Sequence, residues 1–447
     1  MLPSARGAGS ESLALGWLVL ATAAVAASSL FAILIVFARV PGLGALFPGT
    51  EFYRVALTLH VNLSQWVWFM AFAGVLWSLG LVRVPGRWHW FALALAAAGA
   101  LLMALSPAFG AIRPLMANYL PVLDSPWFFA GLGAYGLAVL LMAARVMHDG
   151  AEHRRTASAD SLSDVMRLGL KLAASVVLAA LLVFVVTAVL LPTELFGLAR
   201  FESLFWGAGH IWQFSLTTLM LLAWLGLTSA RIPLPSAARL KFLLAIGAAP
   251  GLIAPLLLLL DPVSPAYFKA FTSLMQWASW QVPLVCAVWL MLAHWRAGIV
   301  PATGFSLSLI LLVAGIALGA MIDGQTTLVT AHYHGTIGAV TLAFMGLTHG
   351  VLACLGCGSP ARRAVEWQLR LYGNGILLMM FGLAGAGLMG APRKIAGNVG
   401  IEFSVETLSR IVMGLGGTLA TAGILYFLVL VLRQLWPAVS LRMARHG

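Results

Sequence analysis

The sequence predicts an all-α membrane protein of twelve spanning helices with both termini in the cytoplasm. Two features of composition carry this: 61% of the 447 residues are hydrophobic and only 9% are charged. A chain with so few charged side chains cannot clothe a water-soluble domain. The third observation is length, because the apolar stretches recur at the size needed to cross a hydrocarbon core of about 30 Å.

The expected spans begin near residues 13, 52, 89, 126, 166, 201, 239, 267, 302, 327, 366 and 405. The first, an apolar run from Leu13 to Ala38, exceeds the roughly 7–15 residues of a signal-peptide core and is read as retained. Short loops on the side of the termini, with residues such as Arg6, Arg83, Arg87, Arg154, Arg155, Arg296, Arg363 and Arg445, carry eighteen basic residues against eight on the other side. That asymmetry sets the orientation. The formal charge of +12 is therefore a topology signal, and its scatter over many loops argues against nucleic acid as a partner. The longest polar segment, about 147–164, reads as a cytoplasmic loop, and the whole of 1–447 reads as one polytopic domain. The chemistry must lie among the helices.

His332 and His334 stand two residues apart near the start of the tenth span. Because a helix turns about 100° per residue, such a pair points to nearly opposite faces at almost one height. His60 lies nine residues after Glu51 in the second span, His210 ten after Arg200 in the sixth, and His332 and His334 nine and eleven after Asp323. All three spans start on the outer side, so the four imidazoles fall about 13–17 Å deep. A lone intramembrane histidine commonly hydrogen-bonds to a neighbouring helix, but four at one depth point to a cofactor. Neutral imidazole is a good axial donor to haem iron, and bundle interiors are common cofactor sites.

Thr330-Ala331-His332-Tyr333-His334-Gly335, the Gly207-Ala208-Gly209-His210 segment, His60 in the second span and Gly390-Ala391-Pro392-Arg393-Lys394 before the last span together resemble the catalytic subunit I of the haem-copper oxidase superfamily. That group includes cytochrome oxidases and bacterial nitric oxide reductases, and the resemblance runs over essentially the whole chain. It implies a subunit I-like bundle, with His60 and His334 as axial ligands of a low-spin haem b and His332 as proximal ligand of a high-spin haem. Arg393 and Lys394 would pair with haem propionates, for which charge-assisted hydrogen bonds suit them. An iron held by two imidazoles passes electrons only, whereas one held by a single imidazole keeps a position for a diatomic molecule.

The chain departs from the pattern where a second metal belongs. His210 matches one expected ligand, but the adjacent histidine pair of the seventh span is replaced by leucines, aligned at Leu257 and Leu258. Leucine holds neither copper nor iron. The sixth span continues as Ile211-Trp212-Gln213, without the tyrosine or glutamate of the family, and Gln213 can hydrogen-bond but cannot supply a proton. His210 is left with three roles: hydrogen-bond donor to a bound ligand, lone ligand of a second metal, or sixth ligand of the high-spin haem. The first is favoured.

No Lys, Asp or Glu falls in the middle of a span; Asp261 and Asp323 lie near outer ends. Protons are expected from the outside, without pumping. Cys354 and Cys357 form a CxxC without a following histidine, which leaves covalent haem attachment there unsupported, and His349 nearby is about 22 Å along the helix from His334. Trp77, Trp88 and Trp90 read as interfacial anchors.

The resulting expectation is a haem-b membrane oxidoreductase that reduces a small gas, oxygen or nitric oxide, in a bacterial cytoplasmic membrane. The resemblance implies a cytochrome c-type or quinol donor and a companion subunit. A non-catalytic di-haem electron carrier or gas sensor is the competing reading, and a transporter has no paired broken helices behind it.

Overall fold

The computed structural model describes residues 8–40, 43, 49–82, 84–149, 162–394 and 404–443. Of the basic residues used for orientation, Arg6, Arg83, Arg154, Arg155 and Arg445 lie outside the described residues, as does most of the 147–164 loop. Among the described residues, eleven helical stretches are long and apolar enough to cross a membrane. The chain is a multi-pass membrane protein. The stretch expected from 302 is a shorter apolar helix, Thr303–Gly319.

In chain order the helices are α1 (Ala8–Phe37), α2 (Gly49–Val61), α3 (Trp68–Gly80), α4 (Arg87–Leu105), α5 (Pro126–Asp149), α6 (Leu162–Leu190), α7 (Gly197–Thr228), α8 (Ala237–Ile253), α9 (Pro265–Ala278), α10 (Gln281–Ala297), α11 (Thr303–Gly319), α12 (Thr327–Cys354), α13 (Arg362–Leu388) and α14 (Val405–Met443). One π-helical segment, Asn62–Val67, joins α2 to α3, so the second span is continuous from Glu51 to Gly80. A short hairpin, β1 (Pro114–Leu115) with β2 (Val122–Leu123), pairs antiparallel between α4 and α5.

The chain divides into two compact units, one of Met1–Ala21 with Trp66–Val300 and one of Thr22–Gln65 with Pro301–Gly447. In the first, α4 and α5 approach closely because Gly99 and Gly131 carry no Cβ; one added at Gly131 would meet the backbone of Met103 at 2.7 Å. Small residues at such crossings let membrane helices gain packing that lipid cannot supply. Trp77 is buried in this unit and donates its indole N–H to the Leu170 carbonyl at 3.1 Å. It is therefore a packing residue and not the interfacial anchor expected; an indole with a partner is stable in the core. Trp88 and Trp90 are exposed, as an anchor requires.

In the second unit, α11 crosses α12 where Gly335 faces Gly315, a Cβ on the former meeting the Cα of the latter at 2.6 Å. The same device joins α13 to α14: Gly382 abuts the backbone of Ser409 and Met413, and Gly416 that of Leu378 and Met379. The loop after α13 is stitched to the start of α12. Thr327 N–H donates to the Ala391 carbonyl at 2.9 Å, and Arg393 N–H to the Gln325 carbonyl at 3.4 Å.

Candidate functional site

Three of the four expected imidazoles belong to the second unit, and each has its Nδ1 tied down. His332 Nδ1 lies 2.7 Å from the Gly315 carbonyl on α11, and His334 Nδ1 lies 2.7 Å from the Thr330 carbonyl of its own helix. A carbonyl only accepts, so Nδ1 carries the proton in both rings. His60 Nδ1 sits 2.9 Å from Ser28 Oγ and 3.1 Å from the Ser28 carbonyl, while Ser28 Oγ donates to the His60 carbonyl at 3.2 Å. The serine hydroxyl proton is thereby spent on the backbone, and its lone pair receives the imidazole N–H.

In every case Nε2 retains its lone pair, and among the described residues no protein group pairs with it. That is the donor state an iron ligand needs, with the second ring nitrogen fixing tautomer and ring orientation. The three donors fit the haem ligation that the sequence resemblance implies.

The i, i+2 pair separates as helix geometry requires. His332 turns to α11, where a Cβ on Gly319 would lie 2.5 Å from its Nδ1; Gly315 and Gly319 form one small-residue stripe that receives the ring. His334 turns elsewhere, into a setting where His60 and Arg39 act on it electrostatically. The structure thus groups His60 with His334 and gives His332 a different backing.

Sequence reasoning missed several neighbours of this pair. Arg39, just past α1, is 9% exposed, with its guanidinium 5.3 Å from the Tyr53 ring centroid and its Nε buried without a partner. The π-helical segment begins two residues after His60, and Ser64 within it donates to the His60 carbonyl at 2.7 Å; π-turns inside helices often mark functional positions. The Gly315-x-x-x-Gly319 spacing was the one signal in the sequence that could have announced the backing of His332.

Arg393 and Lys394 are half-buried in the segment bridged to the start of α12. Lys394 adopts a left-handed backbone, φ 61°, which a non-glycine residue enters only at a tight turn.

His210 belongs to the first unit. It is buried on α7 with Nδ1 2.6 Å from the Trp206 carbonyl, so it too presents Nε2. Three aromatic rings surround it: Tyr119 with centroids 4.6 Å apart, Trp206 at 5.0 Å and Phe271 at 5.8 Å. Gln213, one turn further along α7, interacts through its side chain with Tyr119. The Leu257 and Leu258 positions fall in a 3₁₀ segment, Ala254–Leu259. Among the described residues no group of three or more His, Cys, Asp or Glu side chains is arranged to hold a metal ion. Cys354 is exposed and Cys357 buried, both as free thiols.

No family model matches the chain. It is similar to an uncharacterized protein of Rickettsia prowazekii (strain Madrid E), 24% identical over 503 residues that cover 93% of this chain and 94% of that protein. An uncharacterized protein of Aquifex aeolicus (strain VF5) is 29% identical over 342 residues, covering 76% of this chain and 84% of the other. Among solved structures, a chain of a heme-copper terminal oxidase dimer superposes with a TM-score of 0.73 at 15% identity, covering 96% of this chain and 84% of that one. The fold is haem-copper-oxidase-like. At that identity the likeness fixes the path of the helices and leaves the chemistry to the residues described above.

Proposed function

We propose that the protein is a haem-b membrane oxidoreductase in which His60 and His334 ligate a low-spin haem and His332 a high-spin haem that binds oxygen or nitric oxide. The observation that carries this is the shared state of the three imidazoles, each with Nδ1 committed to a carbonyl or serine and Nε2 left as a donor. Bound there, a bis-imidazole iron supplies electron transfer and a mono-imidazole iron supplies an open coordination position. Ser28, Thr330 and Gly315 orient the ligands. Arg39, with Arg393 and Lys394, offers positive charge to the propionates, and a guanidinium buried beside the Tyr53 ring is suited to that anion. Gln213 offers a hydrogen bond to a bound ligand; the donor role favoured for His210 does not suit a ring whose one N–H is held by the Trp206 carbonyl, and His210 instead presents the Nε2 lone pair, the one donor that copper or non-haem iron finds among the family's ligand positions.

The same reading carries twelve spans in one polytopic domain, termini in the cytoplasm, a bacterial cytoplasmic membrane, and a cytochrome c-type or quinol donor with a companion subunit. Leucines in place of the second-metal histidines favour one alternative, a di-haem electron carrier or gas sensor without turnover.

Pyridine haemochrome assay with iron and copper analysis tests the proposal. Two haems b per chain, and a carbon monoxide difference spectrum from one of them, are the expected results. Purified protein without a Soret band would overturn it, and bound carbon monoxide without reductant-driven oxygen or nitric oxide consumption would favour the sensor.

A further inference from the structure

On α13, in the second unit, exposed residues form a stripe whose chemistry changes along its length. Arg363, Trp367, Arg370, Asn374, Leu378 and Phe381 are all exposed, and their intervals of four, three, four, four and three keep them on one side of a helix. The stripe opens with two arginines around a tryptophan. Beyond Asn374 it is wholly apolar.

The charged end is cationic in excess. Glu366 is the single acidic residue of α13; Arg362 takes it at 2.8 Å, and Arg370 reaches it only at 3.9 Å. A Cβ on Gly358 would lie 2.9 Å from Gln434 Oε1, so α14 brings its exposed Arg433 and Trp436 to the same end of the unit. Among the described residues no carboxylate pairs with Arg363 or Arg433. Exposed tryptophan among arginines at the end of apolar helices marks a membrane–water boundary.

Arg370 is also deep. From it to Leu388, where α13 ends, the helix rises about 27 Å, slightly less than a hydrocarbon core of about 30 Å. Its guanidinium lies 6.0 Å from the Trp367 ring centroid, drawn back towards the helix start as a snorkelling arginine is. A guanidinium held at that boundary keeps donors that match phosphate oxygens in geometry and charge. A zwitterionic headgroup brings its own cation to its phosphate, so a surplus of arginine favours a headgroup of net negative charge.

We infer that this stripe binds an anionic phospholipid, its headgroup over Trp367 between Arg363 and Arg370 and an acyl chain along Leu378 and Phe381. The site is independent of any haem.

The test is native mass spectrometry of the full-length protein in detergent, titrated with phosphatidylglycerol or with phosphatidylcholine of the same acyl chains. Phosphatidylglycerol should bind more tightly, by about fivefold for each arginine engaged. Arg363→Gln with Arg370→Gln should remove that preference. Arg239→Gln with Arg296→Gln, which takes two exposed arginines from the first unit, should bind as the wild type does. Inorganic phosphate at equal concentration should displace no lipid. Equal wild-type affinity for the two lipids, equal loss in the two double variants, or displacement by phosphate overturns the inference. The wild-type comparison of lipids carries the test alone should R363Q/R370Q not fold.

Discussion

Gly319 and His332 are a matched pair: a Cβ on the glycine would lie 2.5 Å from Nδ1 and 2.8 Å from Cε1 of the imidazole. One turn earlier on the same helix, Gly315 accepts the N–H of that ring at 2.7 Å. Together the two glycines set the tilt of the ring and the direction of Nε2. Gly319→Ala should therefore push His332 off its acceptor, at a cost of about 1–3 kcal/mol of overpacking. The expected optical result is loss of the high-spin haem signal with the low-spin signal retained. Equal loss of both would mean that the glycine serves general packing alone.

His60 offers the complementary case, because its partner is a side chain. Ser28→Ala removes the 2.9 Å contact to Oγ but leaves the Ser28 carbonyl at 3.1 Å. Loss of one outer partner of a metal-binding histidine commonly weakens binding 10–100-fold, and the surviving carbonyl should hold the effect near the lower figure. The rate of haem transfer to an acceptor apoprotein measures it. His60→Ala is the stronger change and should abolish the low-spin signal outright while the high-spin signal persists.

The sequence was most legible where chemistry and periodicity coincide. Apolar length fixed the helices, and the i, i+2 histidines announced a two-faced helix, because both follow from one-dimensional spacing. The partners of those histidines were not legible. Ser28 is one serine among many and becomes informative only when α1 lies beside α2; nothing in the sequence around Arg39 marks it as nine-tenths buried against Tyr53. Trp77 was misread because its neighbourhood of basic residues suggested an interface, whereas its indole is committed to Leu170. Tyr119 was invisible, since nothing local marks a hairpin tip as the neighbour of a helix some ninety residues away.

Close backbone approach between α13 and α14 makes a stability prediction independent of any cofactor. Gly382 abuts the Ser409 carbonyl and the Met413 backbone, and neither can move aside by changing rotamer. Gly382→Ala should destabilise the second unit by about 3 kcal/mol, seen as faster thermal inactivation in detergent. Gly133→Ala is the control, since a Cβ there meets nothing within 4 Å; it should be neutral.

Arg39 supplies a prediction about potential. Its side chain is buried, its Nε has no partner, and it acts electrostatically on His334. A positive charge near an iron favours the reduced form, which carries one charge less. At an effective dielectric of about 20, two unit charges roughly 8 Å apart interact by about 2 kcal/mol. For a one-electron couple, with about 59 mV per tenfold change in equilibrium, that is a shift of the order of 90 mV. Arg39→Met, which keeps much of the apolar contact with Tyr53, should therefore lower the midpoint of the low-spin haem by tens of millivolts and leave the high-spin midpoint less changed. Spectroelectrochemical titration resolves the two. A shift confined to the high-spin haem would place the influence of Arg39 on the other site, and no shift at all would remove it from the electrostatics of His334.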